Sequence, residues 1–359
     1  MSSVIKHASP FLFGPVQQVA LNPILTGTLL WALTKGPPAI RERLLHRFAS
    51  LIDDRRIPGL IKTLKWLFAL GLIARVNRVL NTAALNAWRL KSEKGRWDWK
   101  KEVAVVTGGC SGIGEAVVKG LMKKGVKVAV IDIQPLPDSL KNFADIKFYQ
   151  CDITSALAVQ EAADWIRSDI GAPSILVNNA GIASAHTILD TSDEWLHKIF
   201  DVNLLSNFTT VKAFLPDMIA KNKGHIVTVA STASFVTAAG LVDYCSTKAG
   251  VFAFHEGLNQ ELKHRYSAPA VLTTSVHPIW VRTPLIKYWE KLLEKTKSEV
   301  LTPQTVGDAI VNQIFSCQGG QLIIPGNRNK ISGLRGWTNW LQELFRDGTS
   351  KAVDENRVK

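Results

Sequence analysis

From Glu102 to Ile324 the chain repeats one pattern: a short unbroken apolar run, then usually a helix-length segment, then another apolar run. The runs are Val103–Thr107, Val126–Asp132, Phe148–Cys151, Ile175–Asn178, Ile226–Val229, Val271–Val276 and Leu322–Ile324. A strand with one wet face alternates apolar and polar residues, whereas these are apolar almost throughout. That suits strands covered on both faces. With helical segments between most of them, the economical architecture is α/β, a doubly wound parallel sheet.

The residues before this region differ in kind. Residues 1–100 carry 16 Lys and Arg against 5 Asp and Glu, whereas the remaining 259 carry 27 against 25. Almost all of the formal charge of +13 therefore lies outside the repeating region. The basic residues are interleaved with apolar ones, as in Lys62, Lys65, Trp66, Leu67, Phe68, Arg75 and Arg78. That mixture suits a lipid interface better than a phosphate groove and argues against a nucleic-acid partner. Ala8 to Thr34 is free of formal charge and long enough to cross a bilayer, but Pro15, Gln17, Gln18, Asn22 and Pro23 interrupt it. It reads as a bent, half-inserted anchor or a marginal spanning helix. Trp66 to Ala74, bracketed by Lys65 and Arg75, reads as a short interfacial helix. The expected division is a membrane-associating helical extension over 1–95, a catalytic domain over 96–326, and an amphipathic tail over 327–359. Cys110, Cys151, Cys245 and Cys317 form no CxxC pair, and no metal-ligand spacing is visible, so reduced thiols and a metal-free site are expected.

The first apolar run leads directly into Thr107-Gly108-Gly109-Cys110-Ser111-Gly112-Ile113-Gly114 and a helical segment reaching Lys124. Glycines at such a bend let the backbone turn tightly and approach a pyrophosphate at the helix N-terminus, the Rossmann arrangement. Asp132 ends the next run, 24 residues after Gly108. A carboxylate there can accept hydrogen bonds from both ribose hydroxyls and would repel a 2′-phosphate, so NAD(H) is expected over NADP(H), with NADP(H) still possible. Asp152 and Ile153 follow the third run, placed for the adenine. Asn178-Asn179-Ala180-Gly181 closes the fourth, where amides can tie strands while small residues let a cofactor pass.

Tyr244-Cys245-Ser246-Thr247-Lys248 opens a helical segment. Residues four apart share a helix face, so the Lys248 ammonium is expected near the Tyr244 hydroxyl, favouring phenolate. Ser231, thirteen residues earlier, ends the fifth run, where its hydroxyl could hold a substrate oxygen.

With these motifs in this order, residues 102–326 resemble the short-chain dehydrogenase/reductase family. The resemblance implies Tyr244 as proton donor or acceptor and Ser231 as its oxygen-stabilising partner. It also implies that Lys248 binds the nicotinamide ribose, and that Asn203 holds a water linking Lys248 to solvent. Pro278-Ile279-Trp280-Val281-Arg282-Thr283 resembles the family's Pro-Gly-x-Val-x-Thr stretch, which would set Val281 and Thr283 near the nicotinamide amide; the usual glycine is Ile279 here. The cofactor residues so implied are Gly108, Ser111, Gly112, Ile113, Gly114, Asp132, Asp152, Ile153, Asn179, Ala180, Gly181, Tyr244, Lys248, Val281 and Thr283.

The apolar-basic N-terminus, Trp97-Asp98-Trp99 and Tyr244-Cys245-Ser246 are most similar to the membrane- and lipid-droplet-associated retinol and 17β-hydroxysteroid dehydrogenase branch. That implies a cytosol-facing enzyme at the endoplasmic reticulum or a lipid droplet, with homo-oligomers common in the family. Leu285, Ile286, Tyr288, Trp289, Leu292 and Leu293 fall where family members carry a substrate lid. A bulky apolar alcohol, ketone or aldehyde is therefore expected: retinoid, steroid, terpenoid, fatty or polyketide-like. The alternatives are an NADPH-dependent carbonyl reductase of a biosynthetic pathway and a non-catalytic scaffold on a lipid surface.

Overall fold

A computed structural model describes residues 19–49, 53–89 and 92–349. The chain divides into two compact units, Met1–Ala84 and Leu85–Lys359.

The first unit is helical. Asn22 starts helix α1 (Pro23–Thr34) by accepting the N–H groups of Ile24 and Leu25 on its side chain, with Pro23 in the first turn. Among the described residues the charge-free stretch contributes the 12-residue α1, with Val19 and Ala20 also helical ahead of it; its residues 8–18 lie outside the described residues. Helix α2 (Pro38–Ala49) follows. The run at Trp66 to Ala74 is not a short interfacial helix of its own: it is the middle of α3 (Ile57–Leu85), 29 residues long. Lys65, Arg75 and Arg78 interrupt the apolar run but not the helix, since Lys and Arg are good helix formers. By length and composition α3 is able to cross a membrane.

The second unit is a seven-stranded parallel sheet flanked by helices, in the order β3-β2-β1-β4-β5-β6-β7. The strands are β1 (Val103–Thr107), β2 (Lys127–Asp132), β3 (Ile146–Gln150), β4 (Ile175–Asn178), β5 (Gly224–Val229), β6 (Val271–Pro278) and β7 (Gly320–Ile324). The strand side chains alternate between two cores, which is why the central runs are apolar at most positions. Ala104 and Val106 of β1 pack with α4 (Gly112–Lys123) and α10 (Pro303–Ser316). Val103 and Val105 pack on the other face with α5 (Ala156–Asp169), α7 (Ser206–Lys221) and α8 (Val242–His264). Between β4 and α7 lie α6 (Asp193–Phe200) and a π-helical turn, Asp201–Leu205; α9 (Glu290–Lys295) and α11 (Asn339–Thr349) complete the unit.

The chain winds outward from β1 to β3, then returns to β4 and winds the other way. The connections leaving β1 and β4 therefore diverge, opening a crevice at the carboxyl ends of the central strands. The opposite end is closed by stacked Trp97 and Trp99, with Trp99 against Phe315. There Glu102 is buried and pairs with Lys223 ahead of β5, while accepting the Ser174 hydroxyl at 2.6 Å ahead of β4. One carboxylate thus ties the starts of three adjacent strands. Glu102→Ala is expected to destabilise the fold by about 3 kcal/mol, because it leaves Lys223 and Ser174 without that partner. An unchanged urea midpoint would show that the tie contributes nothing.

Candidate active site

The bend from β1 into α4 is fixed by what its glycines avoid. Gly112 has φ of +56°, and a Cβ there would lie 2.8 Å from the Thr283 methyl. A Cβ on Gly114 would lie 2.0 Å from the Gly108 carbonyl oxygen. The loop is thus wrapped on itself and pressed against the Thr283 segment, with Ser111 in extended conformation ahead of α4. Asn179 locks it from β4. Its side-chain amide donates to the Thr107 and Gly108 carbonyls, and the Thr107 hydroxyl accepts the N–H groups of Asn179 and Ala180. Asp132 stands at the end of β2 beside the loop, with one carboxylate oxygen accepting the Cys110 N–H at 3.0 Å and the other the Gln134 N–H. This cradle, bare of side chains where an anion would approach the α4 N-terminus, fits a dinucleotide. Asp152 turns back on its own loop to accept from Thr154, and the Ile153 side chain is buried in the core.

Helix α8 lays Tyr244 and Lys248 on one face. Lys248 is buried, and its Nζ donates to the Val229 carbonyl at 3.0 Å. It lies 5.7 Å from the centre of the Tyr244 ring. Burial lowers the ammonium from its usual 10.5 to about 8. Burial also pushes the Tyr244 phenol up to about 12, against the opposing pull of a hydrogen bond with Ser231. The expected acidifying effect of Lys248 on this phenol is not what dominates here; the ammonium is turned to the end of β5 and desolvation prevails. Ser231 follows β5 in extended conformation, its hydroxyl accepting the Ala233 N–H at 3.1 Å.

Asn203 sits in the π-helical turn, an irregularity that widens the helix by one residue. Its side chain clamps Ile182, accepting the N–H at 2.8 Å and donating to the carbonyl at 2.9 Å, and also donates to the Thr247 hydroxyl. Gly181 lies between Asn203 and Lys248: a Cβ there would be 3.3 Å from Asn203 Oδ1 and 3.5 Å from Lys248 Nζ. Ile279 stands in place of the family's glycine without left-handed backbone, and its N–H donates to Ile324. The segment after it is held by a parallel bridge between Val281 and Leu301.

A cavity of about 580 Å³ is lined by some of these parts, but Asp132, Asp152 and Asn203 are not among its lining residues. Ile113, Asn179, Gly181, Ser231, Tyr244, Lys248, Val281 and Thr283 all line it. The other wall is Trp280, Leu285, Ile286 and Trp289, with Ile331 and Phe345 from the tail. Trp280 and Trp289 meet edge to face at 5.8 Å, and Glu299 pairs with Arg328 at 3.2 Å at the rim. Of the six residues expected in a lid, Leu285, Ile286 and Trp289 line the cavity and Tyr288, Leu292 and Leu293 do not; Trp280 was not foreseen as a wall residue, and the tail's apolar face could have covered the core, the active site or lipid. The amphipathic spacing of 331–345 was the available signal, but it does not say what the apolar face covers.

Comparison with known proteins agrees with this geometry. The short chain dehydrogenase family model matches residues 102–293. The chain is a member of the short-chain dehydrogenase family. As such it is an oxidoreductase acting on CH–OH groups with NAD(P)(H). Dehydrogenase RED2 of Cochliobolus heterostrophus is 39% identical over 215 residues, covering 58% of this chain and 79% of that protein. Human retinol dehydrogenase 10 is 38% identical over 175 residues, covering 47% of this chain and 51% of that protein. In fold the chain is similar to a 3-ketoacyl-(acyl-carrier-protein) reductase from Brucella melitensis solved with NADH, at a TM-score of 0.57 and 24% identity, over 63% of this chain and 98% of that one.

The lowered Lys248 value makes a prediction about stability. Unfolding lets the amine take up a proton between about pH 8 and 10.5, so the lysine's penalty on the fold is fully present below about 8 and lifts as the pH rises to 10.5. Relative to Lys248→Met, the ligand-free wild type is expected to gain about 3 kcal/mol across that window. The buried thiols and Tyr244, held up by burial, act oppositely but are common to both proteins and cancel in the difference. Urea unfolding at several pH values reads this; a difference independent of pH would refute it.

Proposed function

We propose that this chain is a membrane-anchored dehydrogenase that moves a hydride between NAD(H) and a bulky apolar alcohol or its carbonyl. The observation that carries the reading is the cavity, whose lining combines two hydroxyl groups and an ammonium, at Ser231, Tyr244 and Lys248, with a largely aromatic and aliphatic remainder. A retinoid, steroid, terpenoid, fatty or polyketide-like chain with one oxygen is matched to such a space. The name of retinol dehydrogenase 10 gives one member of that class for a relative.

When bound, the nicotinamide supplies or accepts the hydride. The glycine bend, Asp132 and Asn179-Ala180-Gly181 would hold the dinucleotide, with Thr283 and Val281 beside its reactive end. The chain's own work is with the proton. A Tyr244 phenol kept protonated by burial donates to the carbonyl oxygen in reduction and becomes phenolate, and in oxidation it is the phenolate that takes the alcohol's proton. Ser231, in contact with that phenol, shares the developing negative charge on oxygen. Lys248 sets a positive charge beside them and keeps the Val229 carbonyl occupied. A carboxylate at Asp132 accepts ribose hydroxyls and opposes a 2′-phosphate, which favours NAD(H).

The anchor is assigned to the N-terminal unit. Leu70, Ile73, Val76, Val79 and Leu80 of α3 are exposed together with Trp66. A helix apolar on several sides and exposed is matched to lipid. A membrane location also suits a substrate that partitions there.

The test is a panel of retinol, steroid and long-chain alcohols and ketones with both cofactors, run on detergent-solubilised full chain. Turnover only of short polar alcohols would sink the substrate class. Tyr244→Phe is expected to bind NADH as the wild type does and to lose at least about a hundredfold in turnover; wild-type turnover would remove the role. Asp132→Ala is expected to bind NADP(H) about tenfold more tightly than the wild type, corresponding to about 1.4 kcal/mol. Equal NADP(H) affinity in both proteins would remove the cofactor argument.

A further inference from the structure

His277 is the residue before Pro278 in β6, and it is fully buried. Its Nδ1 lies 3.1 Å from the Ser231 carbonyl oxygen. A carbonyl only accepts, so Nδ1 carries the hydrogen and the tautomer is set. The other ring nitrogen, Nε2, is buried with no hydrogen-bond partner. The ring clusters with Phe235 at 4.7 Å and Phe252 at 4.9 Å, and burial pushes the imidazole down to about 4, so it is neutral at physiological pH.

The strand register explains why a side chain reaches this carbonyl. Val229 of β5 is level with Val276 of β6, and the Ala230 N–H still donates to the Val276 carbonyl. Beyond that the ladder stops, because Pro278 has no N–H to give. Ser231 thus leaves the sheet where the strand ladder ends, and its carbonyl accepts the Ser234 N–H of the following turn at 3.0 Å. Two side chains take over: His277 on the Ser231 carbonyl, and the Thr232 hydroxyl on the Pro278 carbonyl at 3.3 Å. Ser231 is immediately followed by a tight 3-10 turn, Thr232–Ser234, so the direction of its carbonyl and of its hydroxyl are set together.

A neutral imidazole is a poor choice for stability alone in this place. A leucine would fill an aromatic nest without a buried, unpaired acceptor, and such an acceptor calls for a reason beyond packing. We propose that His277 is a positioning residue for Ser231: its Nδ1–H holds the Ser231 carbonyl so that the Ser231 hydroxyl is aimed at Tyr244 and the substrate oxygen. This rests on the reading of Ser231 as the oxygen-stabilising group.

The test compares His277→Leu, His277→Asn, Ser231→Ala and the His277→Leu/Ser231→Ala double variant in the full chain, using the substrate turned over best in the panel. His277→Leu is expected to lose about tenfold or more in kcat, with NADH affinity within about twofold and Tm unchanged or raised. His277→Asn, whose amide nitrogen falls near the place of Nδ1, restores kcat to within about threefold. In the Ser231→Ala background, where no hydroxyl is left to aim, His277→Leu costs nothing further. Equal loss in both backgrounds, a fall in Tm that accompanies the loss, or no loss at all in His277→Leu overturns the proposal. Wild-type turnover by Ser231→Ala alone overturns the reading of Ser231 instead. A crystal structure of His277→Leu gives a readout without turnover: a displaced Ser231 hydroxyl supports the proposal, and an unmoved one overturns it.

Discussion

Lys248 carries its ammonium into a place where water is scarce, and much of the site follows from what that demands. A buried cation must find a partner, and here the partner is the Val229 carbonyl at the end of β5. That bond pins α8 across the carboxyl end of the sheet at the level where the strands stop. Tyr244, one turn earlier on α8, is thereby set over the cavity, and Ser231, two residues beyond Val229, lies in reach of it. The same desolvation that lowers the ammonium raises the phenol. Proton-holding power in this pocket is thus set first by burial and only then by neighbouring charge.

The second constraint is the reversal of strand order between β1 and β4. It places the glycine bend after β1 beside Asn179-Ala180-Gly181 after β4, and the two are bonded through Thr107 and Asn179. Because a Cβ on Gly181 would meet both Asn203 and Lys248, the cradle that fits a dinucleotide and the proposed proton-handling groups are separated by about one side chain's width. The cradle and the groups proposed to handle the proton are therefore built on adjoining backbone in the second unit.

The strands were legible because burial on two faces keeps most of their residues apolar, and the glycine bend because a Cβ cannot be tolerated where α4 turns. The pairing of Tyr244 and Lys248 on one helix face was legible from spacing, but the direction of the ammonium was not. That depends on a carbonyl 19 residues away in sequence, supplied by another element. The length of α3 was hidden because an apolar run was taken to end at its flanking charges, whereas long basic side chains continue a helix readily. His277 was silent for a different reason. A single histidine next to a proline has no pattern, and its meaning arises only from register with β5.

These constraints bear on what an apolar substrate does when it enters. The wall of Trp280, Leu285, Ile286, Trp289 and Phe345 gives such a molecule area to cover but few groups to bond. Binding energy is then spread along the substrate's length, while the polar groups meet only its oxygen. Filling the cavity also removes water from around Tyr244, which strengthens each remaining interaction at the reacting oxygen. In the proposed reaction, the substrate's bulk and the acid–base chemistry are therefore coupled: a small polar alcohol that leaves the cavity wet forfeits both the contact area and the desolvated field in which Tyr244, Ser231 and Lys248 act.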